Sequence, residues 1–268
     1  MIKVLVTGCL GRMGSRIINI IQNTDGVSLG ACVEVKGSAK KGEDIGVLNG
    51  LGKIGVLVDD DIKDCISRCD VIIDFTNSSV SLNNLKVAEA NKKAMVIGST
   101  GFTPSELTEV RNICKNVRCV LAPNMSVGVN VLFKVLRDIS PMLKDDYDIE
   151  IIEAHHRLKK DAPSGTAIKL AEVIADSINR DLAKVGVYER HGLIGARTNE
   201  EIGIQTIRGG DIVGEHTVIF AGTGERIEIA HKATNRDNFA KGAIRAAKWV
   251  CSQKNGLYDM MDVLGLKS

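Results

Sequence analysis

A short apolar run at residues 2–7 leads into three glycines at three-residue intervals, Gly8, Gly11 and Gly14, and then into a segment with helical periodicity. No other feature constrains the fold as strongly. A tight turn of this kind lets backbone amides at a helix N-terminus approach a pyrophosphate. The spacing is GxxGxxG, not GxGxxG, with Leu10 where a second glycine often stands. Taken alone, the pattern also fits a strand-to-helix turn that binds nothing. Its surroundings favour a nucleotide. A second apolar run at 27–35 carries Glu34, twenty residues beyond Gly14, where a carboxylate accepts hydrogen bonds from ribose hydroxyls. Further strands are expected at 55–58, 71–75, 94–98 and 117–121, with helices at 79–91 and 104–114. Such alternation predicts an α/β fold, a Rossmann-like doubly wound parallel sheet. Ligands of these sheets lie beyond the carboxyl ends of the strands. Phe75, Thr76, Gly98, Ser99, Thr100 and the run Ala122, Pro123, Asn124 and Met125 fall there, although each also suits a plain strand-ending turn.

The pattern changes after Ser126. A helix is expected at 127–143, a strand at 147–156 and a helix at 164–179. Three strand-like runs follow in succession, at 202–208, 216–222 and 226–231, and predict a second, α+β domain with a mixed or antiparallel sheet. A last helix is expected at 235–251, with Phe239 and Trp249 packing inward. The expected division is a dinucleotide-binding domain at 1–126 and a second domain at 127–236.

Between the 147–156 strand and the following helix lies EAHHRLKKDAPSGTA, starting at Glu153. It gathers proton-transfer groups and anion donors into one strand–loop–helix segment. Pro163 precedes the helix, where its fixed φ and missing N–H do no harm. The amides of that N-terminus, with the Ser164 and Thr166 hydroxyls, suit an anion. His155 and Lys159 are close enough in sequence to serve the same ligand. Strand alternation sends His155 and His156 to opposite sides unless the strand has already ended. A carboxylate substrate that must also be protonated fits this segment, although a His pair beside a Lys pair also suits an ordinary solvated loop. His191, His216 and His231 read as structural, and Arg157 and Lys160 as solvated.

Composition narrows the class. The 268 residues are 44% hydrophobic and 25% charged, ordinary for a globular protein with a core. A net charge of +2 is too balanced for nucleic-acid binding by bulk electrostatics. The seven cysteines show no zinc spacing, and the contiguous histidines lack helical ligand spacing, so no metal is expected. They read as reduced thiols of a cytoplasmic protein. No run reaches membrane-spanning length.

The segments together resemble the 4-hydroxy-tetrahydrodipicolinate reductase family, also called dihydrodipicolinate reductases. The resemblance rests on EAHHRLKKDAPSGTA, on VLVTGCLGRMG from Val4, IDFT from Ile73, VIGSTGF from Val96 and APNMSVGVN from Ala122, and on GGDIVGEH from Gly209 and HKATNR from His231. These blocks span nearly the whole chain in the family's order. The resemblance implies an NAD(P)H-dependent oxidoreductase of lysine and diaminopimelate biosynthesis. It would act on a small dicarboxylate, passing a hydride to C4 and a proton to C3. It implies cofactor contacts from Gly8, Cys9, Leu10, Gly11, Arg12, Met13, Glu34 and the strand-end residues above. It implies proton transfer by His155 and Lys159, and substrate binding by His156, Lys159, Ser164, Gly165 and Thr166. It also returns residues 237–268 to the nucleotide domain and pairs the second sheet with its copies in a homotetramer. Several relatives carry Arg after the acidic residue, where this chain has Val35 and then Lys36. NADH is therefore favoured, with NADPH also accepted. Two rival readings are a semialdehyde dehydrogenase and a non-catalytic dinucleotide sensor; the intact proton-donor segment speaks against both.

Overall fold

The computed structural model describes residues 1–267. In chain order its first segment runs β1 (Ile2–Thr7), α1 (Arg12–Ile21), β2 (Val27–Val33), α2 (Ile45–Leu48), β3 (Val58–Asp59), α3 (Ile62–Cys65), β4 (Val71–Asp74), α4 (Ser78–Ala90), β5 (Ala94–Ile97), α5 (Pro104–Ile113) and β6 (Arg118–Leu121). Next come α6 (Val127–Leu143), β7 (Asp148–His155), α7 (Gly165–Ser177), α8 (Leu182–Val185), β8 (Gly186–Val187), β9 (Ile202–Arg208), β10 (Gly214–Ala221) and β11 (Arg226–Ala233). The chain closes with α9 (Asp237–Val250), β12 (Gly256–Tyr258) and α10 (Met260–Leu264). Two compact units result, one of 1–127 with 236–268 and one of 128–235.

The first unit is built on a seven-stranded sheet of order β12-β6-β5-β4-β1-β2-β3 with every pairing parallel. Its strands are apolar on both faces because helices cover both. Val4, Val6, Val71, Ile73, Ala94 and Val96 point to a core shared with Ile17 and Ile18 of α1 and Ala243 and Ala247 of α9. Leu5, Ile72, Met95 and Ile97 point the other way, to Leu82 and Leu85 of α4 and Val110 of α5. Capping fixes where the helices begin. Asn77 accepts the Val80 amide ahead of α4, and Thr103 and Glu106 form a reciprocal capping box at α5. Trp249 is half-buried against Tyr258, with ring centroids 5.0 Å apart, whereas Phe239 is half-buried outside the core.

One expected strand shrinks. Of 55–58 only Val58 belongs to a strand, paired with Cys32 in β2, while Leu57 makes an isolated antiparallel bridge to Asp44. The carboxylate of Asp44 gathers the amides of Gly46, Val47, Ile54 and Gly55, which bends the segment into a turn.

The second unit carries a five-stranded mixed sheet of order β11-β10-β7-β9-β8. β10 runs antiparallel to β7 and β11, while β7, β9 and β8 are mutually parallel. One face buries Ile149, Ile151, Ile202, Ile204, Val218 and Phe220 against α6 and α7. β7 ends at His155, so His156 lies beyond the strand and is not bound by its alternation. Among the described residues no helix is long and apolar enough to cross a membrane.

Candidate active site

Three glycines shape the turn at the end of β1, one by its φ and two by their closeness to the Gly8 carbonyl. Gly8 has φ +58°, a left-handed conformation. Gly11 donates its amide to the Gly8 carbonyl at 2.9 Å and leaves a Cβ only 3.0 Å from that oxygen. At Gly14 any Cβ would overlap the same carbonyl. The result is a tight turn with α1 starting directly against the Gly8 carbonyl, a side-chain-free backbone that suits the approach of a pyrophosphate. Its amides are not all equivalent. Cys9 donates to Val33 O at 3.2 Å and Leu10 donates to Glu34 Oε2 at 3.0 Å. Arg12 and Met13 begin α1, in the turn where amides have no intrahelical acceptor. Cys9 is fully buried, side chain and backbone alike.

Glu34 follows β2 directly, and its second oxygen accepts the Val35 amide at 3.0 Å. Val35 is 70% exposed.

Asp74 organises the neighbouring strand ends. It is completely buried and accepts Thr76 Oγ1 at 2.6 Å, the Thr76 amide at 2.9 Å, Ser81 Oγ at 2.9 Å and Asn84 Nδ2 at 2.7 Å. Ser81 in turn reaches Ser99 at 2.8 Å. The Phe75 ring lies over Gly98, where a Cβ would overlap it, and Thr76 lies against Gly8. The structure thus brings the glycine loop, Phe75, Thr76, Gly98 and Ser99 together. Thr100 and Pro123 lie exposed on the same rim, and Ala122 is buried. Asn124 accepts the Ser126 amide at 2.9 Å. The Met125 side chain sits in the core, and its carbonyl packs where Gly242 of α9 has no Cβ.

In the second unit the polar groups converge on Glu153, which is completely buried on β7. Arg208 of β9 grips it with two bonds of 2.8 Å. His155 Nδ1 lies 2.6 Å from Oε2, the Ser164 amide 2.9 Å from Oε1 and Thr206 Oγ1 3.3 Å from Oε1. Parallel pairing of β7 with β9 sets Glu153 beside Thr206 and His155 beside Arg208. Burial opposes the charge on Glu153, but hydrogen bonds from His155, Arg208 and Ser164 outweigh it and hold the carboxyl well below the usual range. Removing one partner from a buried pair of this kind costs about 3–5 kcal/mol.

The loop after β7 carries Lys159, whose Nζ is 2.9 Å from Asp161 Oδ2. Arg208 also donates to the Asp161 carbonyl, at 2.6 Å. Arg157, Leu158 and Lys160 are exposed, and His156 is half-buried. Ser164 caps α7 by accepting the Ala167 amide at 3.2 Å, and its Oγ lies 3.1 Å from His216 Nε2. With Ser164 98% shielded and both contacts internal, its hydroxyl serves the turn. Gly165 begins α7 with nothing within 4 Å of where a Cβ would stand, so an open space lies over the helix N-terminus.

Sequence reasoning left three groups out of this cluster. Glu153 and Arg208 carry no signal of a role in the sequence pattern. His216, expected to be purely structural, packs edge-on to His155 with ring centroids 5.2 Å apart and bonds the cap of α7. Burial, with repulsion from His155 next, pushes His216 down to about 4, so it stays neutral near pH 7. The register Glu153↔His216 across β7 and β10 explains the encounter, and a single strand's pattern does not reveal it.

A glycine cradle at the carboxyl end of a doubly wound parallel sheet defines a dinucleotide-dependent oxidoreductase of Rossmann type. The models of the dihydrodipicolinate reductase N-terminus and C-terminus match residues 2–125 and 128–264. The curated 4-hydroxy-tetrahydrodipicolinate reductase of Syntrophus aciditrophicus is 56% identical over 268 residues, covering all of both chains. That of Geotalea uraniireducens is 57% identical over 267 residues, again covering all of both. Among solved structures, a dipicolinate-bound dihydrodipicolinate reductase from Paenisporosarcina sp. TG-14 superposes with a TM-score of 0.78 at 25% identity, covering 98% of each chain. The chain belongs to the dihydrodipicolinate reductase family. Its activity is the reduction of 4-hydroxy-tetrahydrodipicolinate in lysine and diaminopimelate biosynthesis, with a nicotinamide cofactor.

Proposed function

We propose that the second unit binds the dicarboxylate substrate and protonates it at C3, with His155 and Lys159 as the proton-transfer pair. The observation that carries this reading is the cluster itself. A histidine anchored to a buried carboxylate, a lysine on the adjoining loop and the open N-terminus of α7 all belong to one strand–loop–helix segment. The Gly165 amide, with His156, Lys159 and Thr166, holds a substrate carboxylate there, aided by the partial positive charge of the helix end. Ser164 contributes by shaping that turn. Lys159 balances the dianionic ligand and donates as an acid. The dipicolinate bound to the similar Paenisporosarcina enzyme is a ligand of the same dicarboxylate chemistry.

The first unit holds the cofactor through Gly8, Cys9, Leu10, Gly11, Arg12, Met13, Glu34, Phe75, Thr76, Gly98, Ser99, Thr100, Ala122, Pro123, Asn124 and Met125. When bound, the reduced nicotinamide supplies the hydride that adds at C4. Glu34 accepts ribose hydroxyls and repels a 2′-phosphate, and Lys36 partly offsets that repulsion. NADH is therefore the favoured cofactor and NADPH a second one. The enzyme acts in the cytoplasm as a homotetramer, paired through the sheet of the second unit.

The test is a coupled assay supplying pyruvate, aspartate semialdehyde and the preceding synthase, following NADH and NADPH oxidation in parallel. Oxidation that requires the synthase, faster with NADH, is expected. Nucleotide binding with no oxidation by either cofactor overturns the reading.

A further inference from the structure

His155 and Lys159 are only as useful as the geometry that presents them, and one side chain governs both. Glu153 is fully buried, is held ionised and therefore only accepts hydrogen bonds. Its Oε2 faces His155 Nδ1 at 2.6 Å. The other ring nitrogen, Nε2, has no hydrogen-bond partner among the described residues and faces the Gly214 backbone, where a Cβ would stand 3.0 Å away. The remaining charged or titratable groups of the cluster are Arg208 on β9, His216 on β10 with His231 behind it on β11, and the Lys159–Asp161 pair on the loop, whose lysine is felt at His216. Oε1 meanwhile accepts the Ser164 amide, which closes the loop that His156 opens. Arg208 links the same carboxylate to the Asp161 carbonyl inside that loop.

We propose that Glu153 is the positioning residue for proton delivery, accepting the Nδ1 proton of His155 so that Nε2 is the atom that exchanges protons, and anchoring the loop that carries Lys159. This rests on the reading of His155 as a proton-transfer group. In the step itself the Nε2–H bond of the imidazolium breaks and its electron pair stays on Nε2. The enamine left by hydride addition supplies the pair for the new C3–H bond. The ring ends neutral with its proton on Nδ1, the tautomer a carboxylate acceptor stabilises, and water restores the Nε2 proton. Without an acceptor at Nδ1 the neutral ring is free to carry its proton on Nε2, and proton exchange there loses its direction.

Glu153→Gln is the discriminating variant. Oε1 faces three donors, from Ser164, Thr206 and Arg208, and Oε2 faces one fixed donor, Arg208 Nη1, so the amide oxygen takes the Oε1 position and the NH₂ group turns to His155. Nδ1 must then accept, and the proton moves to Nε2. The experiment is ¹⁵N-resolved NMR of the neutral His155 ring in the full-length wild type and in Glu153→Gln, alongside kcat and KM. The expected result is an Nδ1–H tautomer in the wild type, an Nε2–H tautomer in the variant, and a kcat reduced at least 100-fold with substrate KM changed less than 5-fold. An Nε2–H tautomer in the wild type, or the same tautomer in both proteins, overturns the proposal. Tautomers as expected with an unchanged kcat would instead remove His155 from proton transfer. If the variant does not fold, the wild-type spectrum alone decides the tautomer.

Discussion

Glu34 and Leu10 are joined by a hydrogen bond of 3.0 Å from the Leu10 amide to Oε2, which ties the acidic residue after β2 to the glycine loop after β1. The carboxylate is thus fixed beside the glycine loop, the position proposed for the adenosine ribose, and Lys41 is committed to Asp60 at 2.5 Å. Replacing Glu34 by Gln removes the repulsion of a 2′-phosphate, and replacing Val35 by Arg adds a partner for one. The double variant is expected to move the ratio of kcat/KM values for NADPH over NADH upward by tenfold or more, equivalent to about 1.4 kcal/mol. Parallel initial-rate measurements with the two cofactors check this, and an unmoved ratio removes Glu34 from cofactor choice.

Lys159→Ala keeps the fold, because Lys159 sits on a loop and pairs with a largely exposed Asp161. Turnover is expected to fall by roughly 10²–10⁴ as for a lost proton donor, with NADH affinity unchanged by fluorescence titration. Near-wild-type kcat would assign Lys159 to the solvated surface.

Two glycines separate folding from binding. Gly14→Ala places a Cβ on the Gly8 carbonyl, so the loop must open. NADH affinity is expected to fall by about tenfold or more, with a lower melting temperature. At Gly165 a Cβ meets no atom of the protein. Gly165→Ala should leave the melting temperature in place and raise substrate KM, because the methyl occupies the space over the α7 N-terminus. A normal KM for Gly165→Ala would move the substrate carboxylate elsewhere.

Stability should depend on pH through His216. Burial lowers its folded value from 6.5 to about 4, so between these values the unfolded chain takes up a proton that the folded protein refuses. Stability is therefore complete above about 6.5 and declines as the pH falls toward 4, by about 3 kcal/mol for a shift of this size. Glu153 acts in the same direction at lower pH, since its depressed value favours folding above the ordinary carboxylate range and that contribution is lost as the pH falls. Urea unfolding at pH 7, 5.5 and 4.5 measures the slope. His216→Gln should flatten it between pH 6.5 and 4.5, and an unchanged slope would locate the titration in other groups.

The parallel sheet was legible because buried strands read as short apolar runs punctuated by glycine. α6 and β9 fall where periodicity sets them, at Val127–Leu143 and Ile202–Arg208. β12 was not legible. Three residues, Gly256–Tyr258, carry no period, and they are extended only because β6 offers a free edge. The site divides in the same way. His155, Lys159 and the α7 N-terminus are local in sequence and could be read along it. Arg208 lies 55 residues from Glu153 and His216 lies 52 from Ser164, so only the strand register brings them in.

The interrupted first unit has a consequence for synthesis. Its sheet ends at β6 until β12 is made, and its core lacks Ala243, Ala246 and Ala247 until α9 arrives. A ribosome delivers the whole 128–235 unit before those pieces, so the second unit holds all its own strands while the first is still waiting for its last strand and a helix of its core. Competence to bind the dinucleotide is therefore among the last properties a nascent chain acquires.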